Sequence, residues 1–208
     1  KVQRPGMEEV VALDLHLLKM GAGPLQRVLS ALGTGLNSDI VGLIDAWGEG
    51  FVAELDYRGE AANAKQFQEA IQGTPLRGAV FAPPAVDACS SRRVLTSEWI
   101  YGDRLERSNA GDVTKLCSVA MNSYLTMLLE TGVLHADPHP GNLLRTPDGR
   151  LCILDWGLVT SLKEDFRIAY IEHIAHLVSG DYDPVAGDLV KLGFVPDGKE
   201  EEIRNSEV

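Results

Sequence analysis

Asp137, Asn142 and Asp155 are the residues whose types and spacing could do chemistry. They fall in one stretch, Leu134-His-Ala-Asp-Pro-His-Pro-Gly-Asn-Leu-Leu-Arg-Thr-Pro-Asp-Gly-Arg-Leu-Cys-Ile-Leu-Asp-Trp-Gly157. Its second half reads as a β-hairpin, with short apolar runs at Leu143-Leu144 and Leu151–Ile153 on either side of Asp148-Gly149. That dipeptide suits a two-residue turn in which both central residues take φ > 0. A turn centred there sets Asn142 directly opposite Asp155, with Cβ atoms roughly 5 Å apart on one face. An amide oxygen and a carboxylate at that separation can share a hard divalent cation such as Mg²⁺. Upstream, Pro138 and Pro140 stiffen the loop and hold the Asp137 carboxylate at a fixed offset from Asn142.

An aspartate five residues before a metal-binding asparagine, then a metal-binding aspartate before glycine, resembles the phosphoryl-transfer arrangement of protein kinases. Asp137 to Asn142 matches the Asp-x-x-x-x-Asn of the kinase catalytic loop, and Asp155-Trp156-Gly157 stands where kinases have Asp-Phe-Gly. The wording His135-Ala-Asp-Pro-His-Pro-Gly-Asn142 resembles the UbiB/ADCK family of atypical kinases, in its plant, algal or bacterial form. Aminoglycoside phosphotransferases and choline kinases carry a similar pattern. Three further segments favour the UbiB-like family: the start Lys1-Val-Gln-Arg-Pro-Gly6, Glu54-x-Asp56, and Leu95-Thr-Ser-Glu-Trp-Ile-Tyr-Gly102.

Those catalytic residues need a core to hold them, and 208 residues suffice for one domain or two small lobes. With 45% hydrophobic and 24% charged residues the composition is that of an ordinary globular chain. A net charge of -11 without a Lys/Arg block excludes a nucleic-acid surface. Three dispersed cysteines give neither a disulfide framework nor a zinc knuckle. No apolar run approaches the ~20 residues that cross a bilayer.

In chain order, the pattern predicts a helix over 7–20, stopped by Gly21-Ala-Gly23, and a second short one over 24–32. A short helix or strand-like run follows at 38–46, and a long helix at 51–72 with Gly73 as its stop. Within the long helix Glu54 and Asp56 would lie on different faces. Residues 80–83 and 93–99 read as two strands, and Ile100-Tyr101-Gly102-Asp103 as a hinge-like break. Residues 112–130 form an amphipathic helix with Gly132 as its C′ residue and with Cys117 in its apolar stripe. Met121 and Met127 read as core. Helices follow over 163–178 and 181–192, and 199–208 is a charged tail. His173 and His176 share a helix face, but without an acidic partner at metal-site spacing they read as packing or surface histidines.

The resemblance implies an α+β, protein-kinase-like fold of two lobes, divided into 1–99 and 100–208. The small lobe would be incomplete and carry accessory helices near its start; the large lobe would be mainly helical. The family's alanine-rich nucleotide loop and Lys-x-Gly-Gln segment would precede Lys1, so a fragment is expected. Lys1 would touch the α/β-phosphates and pair with Glu60, with Glu54 beside them. The backbone of Glu98, Trp99 and Ile100 would meet the adenine edge, with Ser97 guarding the pocket. Asn142 and Asp155 would hold Mg²⁺, Asp137 would act as base, and His135 would organise the loop. His139 fits a loop hydrogen bond as well as a substrate contact. ATP and Mg²⁺ are therefore the expected cofactors.

The family is linked to ubiquinone, plastoquinone and tocopherol metabolism. Prenylquinone intermediates and membrane-associated biosynthetic proteins become expected partners, in a plastid, a mitochondrion or a bacterial cytoplasm. No Ala-Pro-Glu follows Asp155-Trp156-Gly157, so a peptide-docking activation segment is not expected. A nucleotide-responsive scaffold without catalysis is the alternative. A zinc hydrolase built on His135-x-Asp137-x-His139 is a third reading, with too few ligands to fill a coordination shell.

Overall fold

The computed structural model describes residues 1–31 and 40–195; the charged tail and the first two residues of the run expected at 38–46 lie outside them. The chain opens with a short extended segment that leads into helix α1 (Met7–Ala31). α1 runs unbroken through Gly21, Gly23 and Pro24, where two helices were expected. Pro24 removes one backbone donor, and packing against α2 (Ile40–Ala53) offsets the loss: Ala22, Ile44 and Gly48 are buried, and Lys19 pairs with Asp45 between the two helices.

The long helix expected over 51–72 is, conversely, two elements. α2 ends at Ala53 and α3 (Tyr57–Ile71) begins after a turn. Asp56 breaks the run by capping α3: its backbone is extended, at φ -106°, and its carboxylate accepts from the Arg58 N–H at 3.1 Å. Hydrogen bonds from the Arg58 guanidinium hold that carboxyl down at about 2. Glu54 and Asp56 thus sit in a link, not on opposite faces of a helix, and are free to do different jobs.

Strands β1 (Val80–Phe81), β2 (Asp103–Arg104), β4 (Leu143–Arg145) and β5 (Leu151–Ile153) form one sheet in the order β1-β5-β4-β2. β1 runs parallel to β5, and the other pairs are antiparallel. The β4–β5 hairpin is one residue out of the expected register. Its loop is Pro147-Asp148-Gly149, closed by Thr146 N–H to Arg150 O at 3.0 Å and by Gly149 N–H to Thr146 O at 3.0 Å. The cause is Pro147, whose fixed φ suits the first central position of a type I turn and leaves only Gly149, at φ +76°, in the left-handed region. Asn142 therefore faces Leu154, whose N–H donates to the Asn142 carbonyl at 2.7 Å, and not Asp155.

The expected strand at 93–99 is present only as isolated bridges, Val2 to Val94, Ser91 to Val94 and Ala85 to Ser97. Pro83 and Pro84 supply no N–H to extend that ladder.

The expected helix over 112–130 divides into α4 (Val113–Thr126) and a π turn, Met127–Thr131, ended by Gly132 at φ +70°. Met127 is fully buried, but Met121 is 64% exposed and Cys117 also faces outward, so neither belongs to the core. β3 (Val133–His135) pairs with β6 (Val159–Ser161), and α5 (Glu164–Ser179) and α6 (Val185–Lys191) complete the described chain. His173 and His176 do have an acidic partner: the Asp188 carboxylate, buried on α6, lies 2.7 Å from His176 Nδ1 and 3.5 Å from His173 Nδ1. The core gathers Phe67 and Ile71 of α3, Val80, Leu151 and Ile153 of the sheet, Leu116 of α4, Met127 and Trp156.

Gly102 joins the hinge to β2 and passes so close to β4 that an added Cβ would lie 2.5 Å from the Arg145 carbonyl oxygen. Gly102→Ala must push the hinge off the hairpin and break the Asp103–Arg145 pairing. A loss of about 1–3 kcal/mol is expected in urea unfolding; an unchanged midpoint would contradict this packing.

Candidate active site

The extended start of the chain is held against residues 93–95. The Lys1 amino terminus donates to the Leu95 carbonyl at 2.8 Å, and the Leu95 N–H returns a bond to the Lys1 carbonyl at 2.9 Å. This aims the Lys1 side chain inward, over the Tyr57 ring at 5.1 Å. Its Nζ bonds Glu60 Oε2 of α3 at 2.7 Å and Asp155 Oδ1 at 3.2 Å. The ammonium thus links the start of the chain, one helix and the end of the hairpin. All three residues line a cavity of about 280 Å³ with Ala85, Leu95, Ser97, Leu154 and Asn142.

Asp155 reaches that cavity although its register partner is not Asn142. It leaves β5 at φ +54°, the one non-glycine residue with positive φ among the described residues. Such a conformation is sparsely populated and persists where its surroundings over-determine it. Those surroundings can be named. The Asp155 carbonyl is 2.8 Å from His135 Nε2, while the Asp137 N–H donates to His135 Nδ1 at 3.2 Å. Because Nδ1 accepts, Nε2 carries the proton and donates to Asp155. One buried imidazole therefore ties the Asp137 loop to the backbone of Asp155.

Next in sequence, Trp156 is buried, stacks on Phe67 of α3 at 4.3 Å, and donates from Nε1 to the Ile153 carbonyl at 2.9 Å. The Asn63 side chain holds the Trp156 carbonyl at 2.9 Å. α3 is thus clamped to the residues flanking Asp155 by an ion pair, a ring stack and an amide.

Charge is dense here. Burial lowers Lys1, but its hydrogen bond and attraction to Glu60 outweigh that, so its pKa is raised. Burial raises Glu60, and Lys1 only partly offsets it. For Asp155, burial is outweighed by the Lys1 charge and hydrogen bond, so the carboxyl stays below its ordinary value. Burial raises Glu54, and the charges of Asp155 and Asp137 add to the rise. Tyr124 is pushed up to about 12, by burial first and then by Asp137.

The structure brings together Lys1, Glu60, Asn142 and Asp155, with Glu54 and Asp137 near enough for their charges to be felt. Asp137 itself is exposed and lies outside the cavity lining. It does not bring Glu98, Trp99 and Ile100 to the cavity wall: the Glu98 N–H is engaged by the Pro84 carbonyl at 2.9 Å, and Trp99 is 81% exposed. His139 caps the turn Pro140–Asn142, accepting the Gly141 N–H at 3.0 Å. His135 has both ring nitrogens committed to backbone groups, so a zinc site there lacks one of its two imidazoles. Among the described residues no group of three or more His, Cys, Asp or Glu could hold a metal. One asparagine and one aspartate instead suit Mg²⁺, which keeps waters and phosphate oxygens as its other ligands. Sequence reasoning assigned no functional role to Tyr57, Asn63, Phe67 or Tyr124; Phe67 and Tyr124 carried a signal only as apolar positions on their helices.

A family model described as the ABC1 atypical kinase-like domain matches residues 1–189. The chain is 39% identical over 200 residues to the Arabidopsis thaliana protein ACTIVITY OF BC1 COMPLEX KINASE 3, chloroplastic, covering 94% of this chain and 27% of that one. It is 36% identical over 200 residues to an uncharacterized protein of Synechocystis sp., covering 94% and 28%. Among solved structures it is similar to Rv3197 of Mycobacterium tuberculosis, determined with erythromycin, at a TM-score of 0.63 and 29% identity over 95% of this chain and 49% of that one. The chain spans little more than a quarter of the two curated relatives (27% and 28%) and about half (49%) of the solved one.

Lys1→Met leaves the Glu60 carboxyl buried beside Asp155 with its opposing cation gone, so its pKa rises further. An acid raised in the folded state contributes stability below its ordinary value near 4.5 and loses it as pH rises through the folded value. The variant should match the wild type in stability at pH 4 and fall about 1–2 kcal/mol below it by pH 7. Unfolding curves at both pH values check this; a deficit largest at pH 4 would contradict it.

Proposed function

The chain belongs to the ABC1 atypical kinase-like family and has a kinase-like α+β fold, and from that premise we propose that it uses Mg-ATP for phosphoryl transfer or hydrolysis. The observation that carries the reading is the Lys1 ammonium bound to both Glu60 and Asp155 at the wall of a cavity that Asn142 also lines. Lys1, held in place by Glu60, binds the α/β-phosphates as a point charge. Asn142 and Asp155 hold Mg²⁺, which offsets the negative charge of the phosphates. Asp137 takes the proton from, or orients, the attacking hydroxyl or water. His135 is a positioning residue, keeping the Asp137 loop and Asp155 at a fixed offset through its two ring nitrogens. The adenine lies against Ala85, Leu95 and Ser97 of the cavity lining, since Glu98, Trp99 and Ile100 stand outside it. Within this reading 1–99 is the small lobe and 100–208 the large one.

The acceptor is water or a small molecule. β6 ends at Ser161 and α5 begins at Glu164, so few residues separate Gly157 from α5, which favours water or a small molecule over a peptide. The resemblance to the UbiB-like family extends the reading to prenylquinone metabolism, with lipid intermediates or membrane-associated enzymes as partners. Plant chloroplastic and cyanobacterial relatives support a plastid or bacterial setting. No helix among the described residues is long and apolar enough to cross a membrane.

Asp155→Asn should abolish Mg²⁺-dependent ATP turnover. Asp137→Asn should lower kcat by about 10²–10⁴-fold while leaving Mg-ATP affinity within a few-fold. Coupled ADP-release assays and calorimetric titration read the two effects. Turnover that survives Asp155→Asn would overturn the assignment of Asp155 to the metal site, and nucleotide binding by the wild type without any turnover would overturn the enzyme reading in favour of a scaffold.

A further inference from the structure

We propose that His139 is a catalytic residue, donating from Nε2 to an oxygen of the γ-phosphoryl group as it passes from ATP to the acceptor. The inference rests on the phosphotransferase reading and gives the loop's second histidine a role in it. His139 is the joint between Asp137 and Asn142. Its N–H donates to the Asp137 carbonyl at 2.8 Å, closing a tight turn across Pro138. Its carbonyl accepts the Asn142 N–H at 2.9 Å, and its ring Nδ1 accepts the Gly141 N–H at 3.0 Å. The imidazole is therefore held between the base and the metal ligand. Its seat requires glycine, because a Cβ on Gly141 would lie 2.9 Å from Nδ1 and 3.0 Å from Cε1 of the ring.

Donor accounting points to the other ring nitrogen. Stabilising the charge on a transferring phosphoryl group takes hydrogen-bond donors aimed at its oxygens. The backbone of this loop has none to give. Ala136 donates to Leu158, Asp137 to the His135 ring, His139 to Asp137, Gly141 to the His139 ring, Asn142 to His139 and Leu143 to Pro140. Pro138 and Pro140 have no N–H. With the Asn142 side chain given to the metal, the imidazole is the donor left. Because Nδ1 accepts, Nε2 of the neutral ring carries the proton, and among the described residues that N–H has no partner. The cap alone does not call for histidine: Asn, Asp, Ser and Thr are the favoured caps, and each supplies the single acceptor used here. In the step assisted, the bond from the γ-phosphorus to the β,γ-bridging oxygen breaks and its electron pair leaves with ADP. A bond to the acceptor oxygen forms, and the acceptor's proton passes to Asp137. His139 keeps its own proton throughout.

Two substitutions separate the cap from the donor. His139→Asn keeps an acceptor near the Nδ1 position and deletes the distal N–H, whereas His139→Gln places an amide N–H near the Nε2 position. His139→Asn should lower kcat about 10- to 100-fold, with an unchanged unfolding midpoint and a KM for Mg-ATP within about 3-fold of the wild type. His139→Gln should turn over at least about 3-fold faster than His139→Asn. Long-range ¹H–¹⁵N spectra of the imidazoles read the contact without turnover. The His139 Nε2 signal should shift with a non-hydrolysable Mg-ATP analogue and stay in place with Mg-ADP, which lacks the γ-phosphate. Wild-type kcat in His139→Asn, a His139→Gln no faster than His139→Asn, or an Nε2 signal alike in both nucleotide states would each overturn the proposal. Nucleotide bound by the wild type without turnover would end the enzyme reading while the spectra still decide the contact. A chain that binds no Mg-ATP overturns both.

Discussion

A single ammonium joins the parts of this molecule that matter for chemistry. Lys1 Nζ sits between Glu60 and Asp155, at 2.7 Å and 3.2 Å, and through them it connects α3 to the end of the β4–β5 hairpin. Such a pair is worth little on an open surface. Here the Glu60 carboxylate is buried, so removing the cation leaves a charge that neither water nor protein satisfies. The other contacts around it act in the same sense: Phe67 stacks on Trp156, Asn63 holds the Trp156 carbonyl, and His135 holds the Asp155 carbonyl. They fix Asp155 at φ +54°, a conformation an aspartate adopts at some cost.

Under the proposed function, a chain of net charge -11 must offer this site to an anionic nucleotide. Glu54, Glu60, Asp137 and Asp155 make the site acidic, and one lysine does not neutralise them. A divalent cation would balance both the carboxylates and the phosphates, which is the electrostatic case for Mg²⁺ entering with the nucleotide. Burial raises the Glu54 and Glu60 carboxyls, and the negative charge around them adds to the rise.

The loop from Asp137 to Asn142 was legible in the sequence, because its spacing is local and its prolines and turn residues act within a few positions of one another. The hairpin was legible too, but its register was misplaced, since Asp148-Gly149 signals one turn and Pro147 another, and the constraint on Pro147 won. Breaks at Gly21–Pro24 and continuity through Glu54–Asp56 were both misjudged. In the first, packing of α2 against α1 overrode propensity; in the second, an Asp56 cap bond to Arg58 overrode the apolar pattern. The Asp188 partner of His173 and His176 was invisible because it comes from a different helix, and no periodicity joins the two. Tyr57 and Asn63 escaped notice for the same reason: their contacts, to Lys1 and to Trp156, are long-range.

The central claim is that Asn142 and Asp155 share a metal–nucleotide site with Lys1 despite the shifted register. Paramagnetic Mn²⁺ in place of Mg²⁺, added with ATP to isotopically labelled protein, tests it most directly. The account predicts selective broadening of the Asn142 side-chain amide and the Asp155 and Lys1 signals, absent without nucleotide. Broadening centred instead on His173, His176 and Asp188, or none near Asn142 at saturating nucleotide, would contradict it.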